Sequence, residues 1–245
     1  MEKSPFIQKI SDGRTDLIID FVKSGGTIDQ KNDSGASLIQ IAAYYGDVSA
    51  IKFLIEHGEE LSNLGVNSDL NGAAFHGHWR LVQYLLEQGA DPNCPHPKSG
   101  EYPLHVAISK ANSPFTFPVV QVLLDLGAMP NVRTSQSAES GCFMRDAKTC
   151  GESALHRAAA FANEKVIELL LNHGADKEIQ DAHGNSPLSW ASWHLRPGSI
   201  LRLLAYGKHS IHPLHVERMK SDHGFGPGAG IMTGLIGQVH TSTEK

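Results

Sequence analysis

The sequence predicts an all-α repeat solenoid of stacked helix–turn–helix units joined by turns of β-hairpin type, and three observations carry that prediction. Pairs of small residues recur in a fixed frame with glycines, apolar residues follow them at helical spacing, and turn-forming stretches mark the joins. The frame is plainest at residues 40–58, 71–91 and 156–176. In these segments Ala42-Ala43, Ala73-Ala74 and Ala158-Ala159 stand three residues before Gly46, Gly77 and Ala162. Twelve residues further on come Gly58, Gly89 and Gly174. Gly13 with Gly25 extends the frame toward the start, and Leu195 with Gly207 toward the end. Residues 99–131 fit once four extra residues are allowed between their helices.

The residues inside the frame explain the elements. Ser4-Pro5 and Ser186-Pro187 put a hydroxyl at a helix cap and a proline at the first helical position, where a missing N–H costs nothing. The alanine pairs let each first helix approach its neighbour closely. The mid-unit glycine ends that helix in a left-handed conformation. Leu81, Val82, Leu85 and Leu86, and again Val166, Ile167, Leu170 and Leu171, give the second helix one apolar face. Asp33-Ser34-Gly35, Ser99-Gly100 and Asp181-Ala182-His183-Gly184 are turn signals. One unit cannot bury its own apolar face, so stability comes from stacking neighbours.

Tyr102-Pro103-Leu104-His105-Val106-Ala107, Leu155-His156-Arg157-Ala158-Ala159, Ser186-Pro187-Leu188 and the Leu-Leu-x-x-Gly-Ala-Asp runs at 85–91 and 170–176 resemble the ankyrin repeat. The resemblance covers about residues 1–210. It implies six units at about 1–31, 32–63, 64–96, 97–132, 150–179 and 180–210. It also implies that His105 and His156 tie adjacent turns together through their imidazoles. Residues 133–149 form an insertion in the hairpin between units four and five, and 211–245 a largely disordered C-terminal tail whose residues 211–220 could cap the last unit. The terminal units depart from the pattern, with Lys9-Ile10 and Ala191-Ser192 in place of Ala-Ala. Unit three departs at Ser68-Asp69-Leu70, with Val66 in the glycine position, which predicts a distorted turn.

Composition excludes several functions. The chain has 245 residues, 40% apolar and 19% charged, with a formal charge of −5. The negative balance argues against phosphate-neutralising nucleic-acid binding. Three cysteines exclude a disulfide scaffold. Met1-Glu2-Lys3-Ser4-Pro5 does not read as a secretory signal, and no apolar run is long enough for a spanning helix. A cytoplasmic monomer that touches neither membrane nor nucleic acid is expected.

The chemical motifs are weak. Gly224–Gly230 contains Pro227 and is followed by no lysine, so it is no phosphate loop. His209, His212 and His215 have ligand-like spacing, but Pro213 breaks the helix they would need. Cys94, Cys142 and Cys150 contain no Cys-x-x-Cys pair for zinc with His96. Free thiols are expected, although Cys142 and Cys150 could pair on oxidation. A catalytic reading would have to draw on Cys142, Cys150, His183 and His194, and no motif joins them. No cofactor, metal or catalytic residue is expected.

The binding signal is better. The two positions before the mid-unit glycine are expected to be exposed on the first helix, and the resemblance implies that they line a concave groove. They hold Ser11 and Asp12, Tyr44 and Tyr45, Phe75 and His76, Ser109 and Lys110, Ala160 and Phe161, and Trp193 and His194. Tyrosine and tryptophan bury much area at little entropic cost, which makes them common anchors of interfaces. Tyr44, Tyr45, Phe75, His76, Lys110, Phe161, Trp193 and His194 are therefore the expected contacts for a partner protein, with Phe143 and Met144 of the insertion as a second arm. Some of these rings would otherwise serve only to pack on their neighbours. The expected function is a non-catalytic adaptor or scaffold. The alternative is an effector delivered into a host by its C-terminal tail.

Overall fold

A computed structural model describes residues 5–110, 113–140 and 148–207. Phe143, Met144, Cys142 and the tail from residue 208 lie outside the described residues. Among the described residues there are twelve α-helices and one two-stranded ribbon. The chain divides into two compact units.

The first unit holds α1 (Pro5–Ser11), α2 (Leu17–Lys23), α3 (Leu38–Tyr45), α4 (Val48–Glu56), α5 (Leu70–His76), α6 (Trp79–Glu87), α7 (Pro103–Ala107) and α8 (Thr116–Asp125). Each odd-numbered helix packs on the helix that follows it. The first helices α3, α5 and α7 pack in succession, and so do the second helices α2, α4, α6 and α8. Ile18, Leu38, Ile39, Ile51, Leu54, Leu70, Leu81, Leu85 and Val120 are fully buried between these layers. This is the burial that one helix pair could not achieve alone.

Local signals set the ends of these helices. Gln40 accepts a bond from the Ser37 N–H through its side chain, and the Asp47 carboxylate caps α4 at the Ala50 N–H, 3.0 Å away. Gly46 and Gly77 close α3 and α5 at φ +73° and +83°, a region that L side chains rarely enter. The turn before α5 is irregular, as its sequence predicts: Asn67, Ser68 and Asp69 all have φ near +50°. Asn67 nevertheless holds the turn, exchanging two 2.8 Å bonds with the backbone of Asp91. Asn93 bonds the Gly127 carbonyl and the Met129 N–H in the same way.

The second unit holds a ribbon of β1 (Gln136–Glu139) and β2 (Lys148–Cys150), then α9 (Ala154–Phe161), α10 (Glu164–Asn172), α11 (Pro187–Trp193) and α12 (Gly198–Leu204). The strands pair antiparallel, Gln136 opposite Cys150 and Glu139 opposite Lys148. α9 packs on α11 and α10 on α12, burying Leu155, Ala158, Ala159, Ile167, Leu170, Leu188, Ala191 and Leu204. Asn131 clamps the Gly174 carbonyl and the Asp176 N–H, both at 2.8 Å. His156 accepts from the Ser153 N–H at 3.1 Å, and its other ring nitrogen lies 2.9 Å from the Asn185 carbonyl, which ties two turns together.

Two closures in the second unit break the glycine rule. Ala162 ends α9 in an extended conformation, φ −89° and ψ +166°, not a left-handed one. Leu195 follows α11 at φ +51°, an unfavourable place for a leucine. Arg196 supplies what is missing: its guanidinium donates to the carbonyls of Ala160 and Ala162 at the end of α9.

Candidate functional site

In the first unit the expected contact residues form a ladder of rings. Ile39, Ala42 and Ala43 of α3 turn into the core, which leaves Tyr44 and Tyr45 to solvent, 57% and 40% exposed. Their rings meet edge to face, with centroids 5.1 Å apart. The Tyr44 ring also meets His76 of α5 at 4.8 Å, and His76 meets Phe75 at 5.3 Å. Phe75 and His76 are half-buried rather than exposed. The reason is that rings from neighbouring helices lie on one another.

Packing on glycine fixes this ladder. The Tyr45 ring lies over Gly13, where an added Cβ would stand 3.2 Å away, and its hydroxyl donates to the Ser11 carbonyl at 2.9 Å. His78 covers Gly46 and lies 2.8 Å from the Tyr44 carbonyl. Phe115, itself exposed, covers Gly77. The mid-unit glycines thus do two jobs, turning the backbone and making room for the next ring. Tyr44 has no such packing role, and its ring is the most exposed of these.

At the other end of α3, Asp29, Lys31, Ser37, Gln40, Glu59 and Asn63 line a polar cleft of about 220 Å³. Gln40 and Tyr44 are four residues apart on one helix, so cleft and ladder share a face of α3.

In the second unit, Trp193 is 40% exposed, and His194 is exposed beside Phe161, with ring centroids 4.8 Å apart. Phe161 is half-buried. Ala160, expected on the surface, is buried in the core. Its small side chain lets α9 pack closely, and the expectation of two exposed residues per unit fails there. Lys110 is exposed, in a bend after α7.

The second unit also contains a feature that the sequence reading missed. Arg157 is completely buried and paired with two glutamates. Its Nη2 donates to Glu101 Oε1 at 2.7 Å and to Glu152 Oε1 at 2.5 Å. Ser140, at the end of β1, donates to Glu101 at 2.8 Å, and Thr134 donates to Glu152 at 2.7 Å. Burial alone would push the Glu101 carboxyl up. The Arg157 guanidinium and the Ser140 hydroxyl outweigh it and hold that group at about 2. Glu152 is held low by the same guanidinium and by the Cys150 N–H. A sequence signal for the pair existed: each glutamate follows a turn glycine, Gly100-Glu101 and Gly151-Glu152.

The Cys150 thiol beside these groups is not activated. Burial and the carboxylates of Glu152 and Asp181 push the Cys150 thiol up to about 12, so it is protonated and a poor nucleophile at neutral pH. Among the described residues no cluster of His, Cys, Asp or Glu could hold a metal ion. Nor is any described helix long and apolar enough to cross a membrane.

The model of ankyrin repeats in three copies matches residues 6–95 and 138–213, and that of ankyrin repeats in many copies matches 73–124. The chain belongs to the ankyrin repeat family. It is similar to the human Ankyrin repeat and SOCS box protein 3, at 31% identity over 182 residues, 72% of this chain and 32% of that protein. Human SH3 and multiple ankyrin repeat domains protein 2 is 29% identical over 53% of this chain and 6% of its own length. The Nuclear factor NF-kappa-B p105 subunit of Gallus gallus is 23% identical over 69% of this chain and 16% of its own length. The ankyrin chain thus spans about a third or less of each of these curated relatives. Ankyrin repeats serve generally as protein–protein interaction modules, and the helix pairs described above have the helical repeat fold of that family.

Proposed function

We propose that this ankyrin protein is a non-catalytic adaptor that holds a partner protein against the first-helix face and the turns preceding it. The contacts are Tyr44, Tyr45, Phe75 and His76 in the first unit, and Phe161, Trp193 and His194 in the second. Lys110 adds a cation, and Phe143 and Met144 belong to an additional arm. Six repeats with the boundaries given above, an insertion at 133–149 and a tail from 211 complete the organisation. The protein acts as a cytoplasmic monomer.

The observation that carries this reading is Tyr44. A large ring more than half exposed, on a helix whose other side is fully buried, adds little to folding and suits an interface anchor. The protonated, carboxylate-flanked Cys150 supports a role without catalysis.

The test is capture of partners from native extract by the full chain, followed by affinity measurement with the purified partner. Tyr44→Ala and Trp193→Ala should each weaken binding by about 1–3 kcal/mol with unchanged thermal unfolding. Unchanged affinity in both variants contradicts the assignment of this face.

A further inference from the structure

We infer that the exposed ring face around Tyr44 and Tyr45 docks a basic segment of the partner protein, with arginine or lysine side chains laid on the tyrosine rings. This rests on the proposed adaptor role and names the chemistry of its partner.

The first unit lays its own cations on other rings. On the second helices, rings are already covered: Lys23 Nζ lies 5.9 Å from the centroid of Phe53, Lys52 Nζ 5.0 Å from Tyr84, and the Arg80 guanidinium 4.4 Å from Trp79. Arg14 is paired with Asp16 at 2.7 Å. Among the described residues no cation covers Tyr44 or Tyr45, the most exposed tyrosines of the unit. Electron-rich faces of this kind attract cations.

The charge of the first unit selects the occupant. The first unit carries seven Lys and Arg against fourteen Asp and Glu, a formal charge of −7. The second carries fourteen against twelve, a charge of +2. The acidic excess of the whole chain therefore resides in the unit that bears the ring ladder. Asp29 and Glu59 stand in the cleft one helical turn along α3 from Tyr44, with Lys31 the single opposing charge there. A basic segment is attracted over a distance of the order of the Debye length, roughly 8 Å in physiological salt. An acidic segment or a nucleic acid backbone is repelled.

The test uses the full chain and four labelled peptides of equal length, in which serine alternates with arginine, lysine, glutamate or glutamine. Binding is read by fluorescence anisotropy at several salt concentrations. The arginine and lysine peptides should bind at least tenfold more tightly than the others, and more weakly as salt rises. Tyr44→Ala should cost roughly five- to thirtyfold for the arginine peptide, and Tyr44→Phe, which keeps the ring, should restore most of it. Equal binding of the arginine and glutamine peptides overturns the inference. So does basic-peptide binding that Tyr44→Ala leaves unchanged, because generic charge attraction then explains it. If Tyr44→Ala releases the captured partner but no peptide shows a basic preference, the adaptor reading stands and the basic occupant falls. If Tyr44→Ala has no effect in either assay, this inference falls, and the first-helix face around Tyr44 falls with it.

Discussion

The two compact units solve one packing problem with different chemistry. In the first, the core is largely apolar, Gly13, Gly46 and Gly77 follow α1, α3 and α5, and aromatic rings lie over those glycines at the surface. In the second, Ala162 and Leu195 stand at the frame positions, Arg196 caps a helix from its neighbour, and a buried arginine holds two glutamates. A repeat frame thus fixes where helices begin and end without fixing what fills the space between them. Where rings fill it, they remain available to a partner. Where charges fill it, their desolvation demands complete pairing, and the residues involved are committed to stability.

The largest expected effect is at Arg157. Arg157→Met should destabilise the second unit by about 3–5 kcal/mol, because Glu101 and Glu152 would be left buried without their cation. Denaturant unfolding combined with hydrogen exchange would locate the loss in α9–α12. An equal loss throughout α1–α8 would break the distinction between the units.

Acid should act on the same charges. The carboxyls of Glu101 and Glu152 titrate lower in the folded chain than in the unfolded one. Their contribution is therefore complete above the unfolded value near 4.5 and fades as pH falls toward about 2. Hydrogen exchange across that range should show α9–α12 losing protection, and protection that rises as pH falls would reverse the sign.

A smaller effect separates the helix closures. Gly46→Ala should cost about 1–3 kcal/mol, since φ is +73° and a new Cβ would stand 2.5 Å from the His78 ring. Ala162→Gly, at an extended position, should cost less than about 1 kcal/mol. Thermal unfolding of the two variants decides the order. The smallest expected effect is a gain: Leu195→Gly should raise stability by up to about 1 kcal/mol, because it relieves a positive φ at a mostly exposed side chain.

Much of this was legible in the sequence, and the reasons are particular. Gly46 and Gly77 announce left-handed helix ends because few other residues tolerate them. Leu81, Val82 and Leu85 announce a buried face because their spacing matches a helical turn, and all three are buried. The irregular turn before α5 follows from Val66 and Ser68-Asp69 in positions that call for other residues. Arg157 was not legible, because an arginine on an alanine-rich helix reads as solvent-exposed and its partners lie 5 and 56 residues away in the chain. Ala160 is buried against expectation for the opposite reason: an alanine fits a surface as easily as a core, so the frame alone does not assign its side. Phe115 comes after the four residues that are extra to the frame, and no local pattern predicts that it covers Gly77.

Hydroxyl-radical footprinting of the full chain, free and bound to a captured partner, tests the central claim most directly. The account predicts that Tyr44, Tyr45 and Trp193 lose reactivity on binding, while Trp79 on α6 and the exposed Leu126 and Met129 after α8 keep theirs. Protection of Leu126 and Met129 with Tyr44 and Trp193 unchanged would put the partner on a different face and contradict it.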